Sequence, residues 1–297
     1  MVRFKGKDQI EGGYQHYTEA NYGSSPGGAV TVLHRIGYLT EVTPQYDPEL
    51  MRDYVLRDSA IPAPIAILRK RENVKLRLKW QQGTLGDYAQ KSMLTDKENW
   101  FLETKIYRSP GGAGYEYYLY WTGVKWDVLT VKCSVGEPIE WIADCIGKLY
   151  DTKLTTIHSY GAAPGDPWEW KDAYLEISAN DANWTVIPDV TDWEIRINNR
   201  LKQNFVFNNS GSKQLVSLEE MEIEGDGRFT MNLQDDTYIS YLLDQTEPLY
   251  VRLTLPDSKW IKLNKVKFSV VEPVLKPEDL IACRVTCIAR WVTNGFT

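Results

Sequence analysis

The sequence predicts a mainly β protein with two tandem β-barrel or sandwich domains, each carrying a short α-helix, and an extended N-terminal arm. Short runs alternate apolar and polar residues, which is typical of half-buried strands, and no long amphipathic helix is evident. In addition, one ribbon occurs twice, as KWDVLTVKCSVGEP at 125–138 and KWIKLNKVKFSVVEP at 259–273. A repeat of this kind indicates a repeated architecture and does not by itself indicate any chemistry.

Other elements flank the two ribbons in the same order. A strand, a short helix and a second strand precede each ribbon, and a last strand follows its Glu-Pro turn. The corresponding strands are 74–80 with 228–234, 100–107 with 249–255, and 143–146 with 287–290. The helices begin near Asp87 and Asp236, and the second has apolar residues at i, i+3 and i+4. This colinear order favours a diverged tandem duplication.

Turn-forming residues divide the chain. Residues 1–30 are Gly-rich with little periodicity and are interpreted as an extended arm, followed by domains at 31–155 and 156–297. Gly and Pro between 156 and 170 mark a linker. The segment 108–123 is interpreted as an aromatic hairpin inserted in the first copy only. With 43% hydrophobic residues, the chain can fill two cores.

The location is predicted from what the N-terminus and the strands contain. Neither a signal peptide nor an apolar stretch of about 20 residues is recognised. We therefore expect an intracellular, reducing compartment and no insertion into a membrane. The four cysteines fall on predicted strands, where free thiols behave as small apolar side chains. They are Cys133, Cys145, Cys283 and Cys287.

No pattern in the sequence indicates catalysis, so we predict that the protein is not an enzyme and has no catalytic residue, cofactor or metal. His16, His34 and His158 stand apart from other ligand residues. Cys283 and Cys287 lack a second ligand pair for zinc, and Gly111–Gly114 lacks the lysine and helix start of a phosphate loop. The carboxylates at 219–224 alternate with Met221 and Ile223, which indicates the solvated face of one strand.

Opposite charges distinguish the two copies. Lys75, Arg77 and Lys79 lie on one predicted strand, and the second copy is acidic, with Glu220, Glu222 and Glu224. We hypothesise that these six residues form contacts between subunits, where opposite charges fix register and order more than affinity. Two unrelated solvated strands are the alternative.

The chain resembles the tail tube proteins, or major tail proteins, of tailed viruses. The resemblance rests on the barrel with one short helix, the ribbon IRINNRLKQNFVFNN at 195–209, the Asp-Asp-Thr-Tyr start of the second helix and the bent closing strand. It is best over 190–297 and fainter over 31–155. In that family, protomers join their sheets into rings lined by β-hairpins, and stacked rings form the hollow tube through which the genome passes.

The resemblance implies a structural protein of the virion tail, assembled in the host cytoplasm. Its partners would be further copies of itself, other tail proteins, and viral DNA that passes through the lumen without specific binding. A duplicated chain implies a trimeric ring with pseudo-sixfold symmetry. The net charge of −6 is consistent with a channel that does not bind the DNA passing through it.

Two other functions are compatible with the same sequence. One is a tail-junction protein, such as a terminator or distal tail component, which would form a single ring. The other is a carbohydrate-binding adhesin module, because 11 tryptophans and 18 tyrosines could supply stacking platforms for sugars. The candidate platforms are Trp168, Trp170, Trp184 and Trp193 in the second half, and Tyr115, Tyr117, Tyr118, Tyr120 and Trp121 in the first.

Overall fold

The computed structural model describes most of the chain. The described ranges are 9–17, 32–45, 50–55, 63–68, 73–84, 89–97, 99–107, 117–153, 158–207, 213–232, 249–274 and 282–296. Within them the protein is mainly β, as the sequence predicts. A short helix, α1 at Ala89–Lys91, continues into a π-helical turn at Ser92–Asp96 and confirms the helix predicted in the first copy. The helix predicted from Asp236 lies outside the described residues.

The strands fall into two successive sets, which we call the first unit and the second unit. The first unit comprises β1 (Gln9–Tyr17), β2 (Val32–Arg35), β3 (Tyr38–Gln45), β4 (Leu50–Val55), β5 (Ala63–Leu68), β6 (Asn73–Gln81), β7 (Asn99–Tyr107), β8 (Tyr117–Ser134) and β9 (Glu140–Lys153). A short strand, β10 (Ser159–Tyr160), follows and pairs with β2. A 3-10 turn at Trp170–Asp172 leads into the second unit.

The second unit repeats this series. It comprises β11 (Tyr174–Ser178), β12 (Thr185–Val186), β13 (Val190–Asn198), β14 (Lys202–Phe207), β15 (Lys213–Glu219), β16 (Glu224–Asn232), β17 (Leu249–Thr254), β18 (Trp260–Val274), β19 (Ala282–Ala289) and β20 (Trp291–Asn294). β19 and β20 together correspond to the longer β9, because both run along β18 as β9 runs along β8.

Every described strand pairing of the first unit recurs in the second. The first unit has the order β3-β6-β9-β8-β7-β1-β2 and the second has β13-β16-β19-β18-β17-β11-β12, with antiparallel neighbours throughout. In each unit a two-stranded hairpin follows the third strand, as β4–β5 and as β14–β15. The repeat predicted from the sequence is therefore present at the level of topology.

Several bulges recur as well, and one of them fixes which residues correspond. β8 is bulged against β9 between Trp126 and Val128, and β18 is bulged against β19 between Phe268 and Val270. Beside each bulge, a cysteine followed by an isoleucine lies on the partner strand, as Cys145-Ile146 and as Cys287-Ile288. These two isoleucines occupy corresponding places.

This correspondence corrects the alignment of the two Lys-Trp ribbons. Lys125 pairs with Ile146 across the sheet, and the residue that pairs with Ile288 is Lys267, not Lys259. The Ser-Val-x-Glu-Pro segment of the first copy forms the turn after β8, whereas Pro273 in the second copy lies inside β18. The ribbons resemble each other because alternating strands use similar residues, while the pairing with neighbouring strands sets the register.

The two units are joined edge to edge, with β8 paired to β13. Four strands of each unit thereby form a continuous antiparallel series, which we call the first row (β3-β6-β9-β8) and the second row (β13-β16-β19-β18). The described sheet is open at both ends of this series and is not closed into a barrel. Of the two architectures predicted, the structure therefore has the sandwich-like one.

A shared hydrophobic cluster holds the units together. It contains Trp80, Trp121 and Trp141 of the first unit together with Leu253 and Val285 of the second, and all five are buried. Burial of such large side chains is the main contribution to stability in a protein of this kind.

The predicted arm and linker are partly built into the sheet. Gln9–Tyr17 forms β1 and pairs with β7 along its whole length, so this part of the arm belongs to the first unit. In the predicted linker, β10 pairs with β2, Trp168 is buried, and Pro167 forms an isolated bridge with Gly83. Residues 108–116, the tip of the predicted aromatic hairpin, lie outside the described residues.

Candidate functional site

The junction between the units is the first component of the candidate site, an assembly surface. β13 pairs with the end of β8 over seven consecutive positions, from Asp192 opposite Ser134 to Asn198 opposite Val128. Alternate residues of β13 point into the core, where Trp193 and Ile195 are buried. An apolar inward face and a complete ladder of backbone hydrogen bonds make this a stable way to join one row to the next.

The same two kinds of edge lie open at the ends of the series. β3, the counterpart of β13, pairs with β6 on one side, and no described strand pairs with its other side. The end of β18, the counterpart of the end of β8, pairs with β19 over Lys267–Val274, and no described strand lies on its other side. The open edges of β3 and of the end of β18 are thus the counterparts of the two edges that pair at the β8–β13 junction. Open edges are ready templates for pairing with another chain.

The hairpin β14–β15 forms the second component, because it crosses from the second unit onto the first. Leu215 and Leu218 of β15 pack on Ile146 of β9, and all three side chains are buried. Leu201 and Phe205 pack around them. Ile146 lies on the outer face of the first row, so the hairpin covers a spot that would otherwise face solvent.

Polar contacts fix the base of this hairpin on β8. The backbone N–H of Leu201 donates to Asp127 Oδ1 at 2.9 Å, and the buried Asn199 donates from Nδ2 to the Trp126 carbonyl at 3.3 Å. Lys125 Nζ lies 3.4 Å from Glu220 Oε1, just beyond the end of β15. The hairpin is therefore attached to the other unit by side chains at both of its ends.

A cleft of about 580 Å³ lies beside the hairpin on the first row. Lys75, Arg77, Asp144 and Gln203 are among its lining residues, which come from β6, β9 and β14. The lining is open and mixed in charge, so nothing in it selects a particular ligand chemistry.

The three basic residues predicted as subunit contacts lie on the outer face of β6. β6 is hydrogen-bonded to both β3 and β9, so the strand that carries them is not a sheet edge, and their part in contacts between subunits stays a prediction. Arg77 lies 3.8 Å from Asp144, and Lys79 lies 2.8 Å from Glu140. The hydrophobic pattern could not reveal this, because a central strand with one solvated face alternates like an edge strand.

The three acidic residues do not share a strand, which corrects the prediction of a single acidic strand. β15 ends at Glu219, residues 220–223 are not in a strand, and β16 begins at Glu224. Glu220 contacts Lys125 within the chain, Glu224 lies 2.6 Å from Arg200, and Glu222 is exposed. Their part in contacts between subunits stays a prediction.

Ion pairs neutralise much of the charge on the outer face of the rows. Glu140 lies 2.8 Å from Lys79 and 3.0 Å from Lys132, and Glu194 lies 2.9 Å from Arg228. Burial raises the pKa of Glu140, but hydrogen bonds and positive charge from Lys79 and Lys132 outweigh burial and hold this pKa below its ordinary value. The face is therefore polar and mixed in sign, without a large basic field.

A buried polar pair was missed at the sequence level. His158 Nδ1 lies 2.7 Å from Glu103 Oε2, and the Glu103 side chain is completely buried. The two residues are 55 positions apart, and Glu103 directly follows three consecutive apolar residues of β7. No local signal marks such a pair, and it fixes the segment after β9 to the sheet.

Four of the six predicted aromatic platforms whose side chains the structure describes are not available to a sugar. Trp168, Trp193, Tyr120 and Trp121 are buried. Trp184 lies against the guanidinium of Arg252, whose carbon is 4.2 Å from a ring centroid of the tryptophan. Trp170 is exposed, and the side chains of Tyr115, Tyr117 and Tyr118 lie outside the described residues.

The cysteines are free and buried, as predicted. Burial raises the pKa of the Cys133 thiol to about 11 and that of Cys287 to about 12. Among the described residues there is no group of three or more side chains suited to bind a metal. No helix in the same ranges has the length and apolar character needed to cross a membrane.

Comparison with solved structures finds similar chains in phage-like tail particles. One belongs to the tail of an empty gene transfer agent particle, determined with C6 symmetry; it is 11% identical, with a TM-score of 0.35 over 43% of this chain and 98% of that one. Another belongs to the virion of a native gene transfer agent particle, at 10% identity, the same TM-score and the same coverage. Neither a protein-family model nor a curated protein matches the sequence. A TM-score of this size does not establish a common fold.

Proposed function

We propose that this chain is a structural, non-enzymatic virion protein that assembles with itself through the edges of its sheet. The observation that carries the proposal is the β8–β13 junction, together with the unpaired edges at β3 and at the end of β18. Within one chain the end of one row already pairs with the start of the next. Repeating the same pairing between chains joins β18 of one copy to β3 of the next.

The register of this contact follows from the junction inside the chain. Arg196 of β13 lies opposite Thr130 of β8. Gln45 pairs with Lys75, which pairs with Ile146. Arg196 pairs with Asp226, which pairs with Ile288. Since the two isoleucines correspond, Gln45 corresponds to Arg196. Glu272 holds the place of Thr130, two positions beyond the bulge. We therefore expect Gln45 of one copy opposite Glu272 of the next.

A head-to-tail contact generates a ring when its rotation closes. With two rows in each chain, a trimer would contain six rows, which is the pseudo-sixfold ring that the resemblance to tail tube proteins implies. Common descent of the two units by tandem duplication would explain why their strand pairings agree and why several of their bulges recur. Stacked rings would form the tail tube, and the mixed, ion-paired outer face suits a surface that DNA passes without being bound.

Electron microscopy and native mass spectrometry of the purified chain at increasing concentration test the proposal. Trimeric rings that stack into tubes are expected, because each added copy closes an open edge. Isolated rings that never stack would favour the tail-junction alternative. A chain that stays monomeric throughout would contradict assembly through the sheet edges. The adhesin alternative is disfavoured by the burial of four of the six aromatic platforms whose side chains the structure describes.

A further inference from the structure

Ile288 is an exposed apolar side chain at a place where its counterpart is covered. It points outward from β19, and 55% of its surface is accessible, whereas Ile146 on β9 is only 4% accessible. The two positions correspond in every strand pairing around them. The difference arises because β14–β15 lies over Ile146 with Leu215 and Leu218.

The connectivity shows which segment should cover Ile288. β14–β15 follows β13 in the chain, and it covers the row to which β13 is joined. β4–β5 follows β3, the counterpart of β13, and β3 has no neighbouring row within the chain. We propose that β4–β5 of one copy docks over Ile288 of a second copy, as β14–β15 docks over Ile146 within the chain. This inference rests on the head-to-tail contact proposed above.

The composition of β4–β5 suits this role. β5 has the sequence APIAIL, and β4 contributes Leu50, Met51, Tyr54 and Val55. An isolated two-stranded hairpin is at best marginally stable in water, so this apolar hairpin gains from a surface on which to pack. Ile288 supplies an apolar centre on a polar face, as Ile146 does for the other hairpin.

Charges around the two sites differ at one position and agree at another. The hairpin β14–β15 is followed by acidic residues, and Glu220 contacts Lys125 next to Ile146. The hairpin β4–β5 is followed by the basic residues Arg69, Lys70 and Arg71. In the row that would receive it, Asp226 takes the place that Lys75 holds in the first row. Lys267, however, takes the place of Lys125, so the charges are complementary at the Asp226 position and not at the position that Glu220 contacts in the first row.

Photo-crosslinking of the full chain tests this contact. Benzoylphenylalanine placed at Ile288 is expected to crosslink to peptides within 50–68 of another copy, which a mixture of isotope-labelled and unlabelled chains identifies by mass spectrometry. The matched control carries the same group at Val135, which is 52% exposed in the turn after β8, and should give no such product. Rings that form while position 288 crosslinks elsewhere would overturn this inference and leave the proposed function standing.

A substitution provides a second measurement. Ile288→Asp should raise the concentration needed for half-assembly about tenfold or more, since it removes the burial of one large apolar side chain. Its melting temperature as a monomer should match that of the unsubstituted chain, and Val135→Asp should leave assembly unchanged. Unchanged assembly of Ile288→Asp would contradict the docking. A chain that forms no assembly even without substitution would overturn both proposals.

Discussion

Leu218→Ala measures how firmly the hairpin of the second unit is held on the first. Leu218 is 6% exposed and packs with Leu215 against Ile146, outside the main core. Truncating a well-buried leucine costs about 2–5 kcal/mol, and this small satellite cluster places the expected loss at the lower end, about 2 kcal/mol. Urea unfolding followed by tryptophan fluorescence measures the change in free energy of unfolding.

The matched control is Val216→Ala, because Val216 lies two positions before Leu218 on β15 and is 40% exposed. It should change stability by less than about 0.5 kcal/mol. A double-mutant cycle of Leu218→Ala with Ile146→Ala should give a coupling energy of at least about 0.5 kcal/mol, since the two side chains belong to one cluster. If Leu218→Ala lowers the free energy of unfolding no more than Val216→Ala does, and the double-mutant cycle gives no coupling energy, the docking of this hairpin is refuted.

Three further predictions concern the buried groups. Because the pKa of Glu140 is lowered in the folded state, its ion pairs stabilise the fold above about pH 4.5, and this stabilisation is lost as the pH falls through the folded pKa. The difference in free energy of unfolding between the wild type and Glu140→Gln, measured by urea titration, should therefore shrink below about pH 4.5. A difference that stays constant with pH would contradict the ion pairs. Glu103→Ala should cost about 1–3 kcal/mol by leaving His158 without its partner, against almost no change for the exposed Glu222→Ala, as measured by urea unfolding. Since burial raises the pKa of the Cys287 thiol to about 12, Ellman's reagent should label the cysteines only after unfolding, and rapid labelling of the native chain would contradict their burial.

The strands were predictable because each carries its own alternation. The segments at 74–80, 100–107 and 249–255 coincide with β6, β7 and β17 to within a residue or two. The alternating stretch at 195–209 was less clear, since the structure divides it into β13 and β14. The division falls at Asn199, which is buried and bonded to β8, and at Arg200, whose φ is +48°. Long-range contacts decide such breaks, and the alternation continues across them.

Register was not predictable, and the Lys-Trp ribbon shows why. Its two copies match in sequence but are displaced along their strands, and the two-residue match Cys-Ile marks the true correspondence. A strand slipped by an even number of residues keeps the same alternation, so sequence similarity alone cannot fix pairing. The bulges that do fix it, such as the one after Trp126, carry no residue signature here.

The charged residues predicted as subunit contacts have partners within the chain at two positions, because Lys79 contacts Glu140 and Glu220 contacts Lys125. Their part in contacts between subunits stays a prediction. The proposed contacts use backbone edges and one exposed isoleucine instead. An open edge is defined by which strand is absent beside it, and that is a property of the whole topology.

Crosslinking across the proposed junction is the sharpest test of strand pairing between copies. Gln45→Cys and Glu272→Cys in one chain place thiols at positions predicted to face each other across antiparallel strands of two copies, within the Cα separation that a disulfide spans. Under mild oxidation we expect a ladder of crosslinked species that ends at a closed covalent trimer. Gln45→Cys combined with Lys262→Cys, far along β18, should give no such ladder. Crosslinking no better than in this mismatched control, in samples that do form rings, would contradict pairing of β18 with β3.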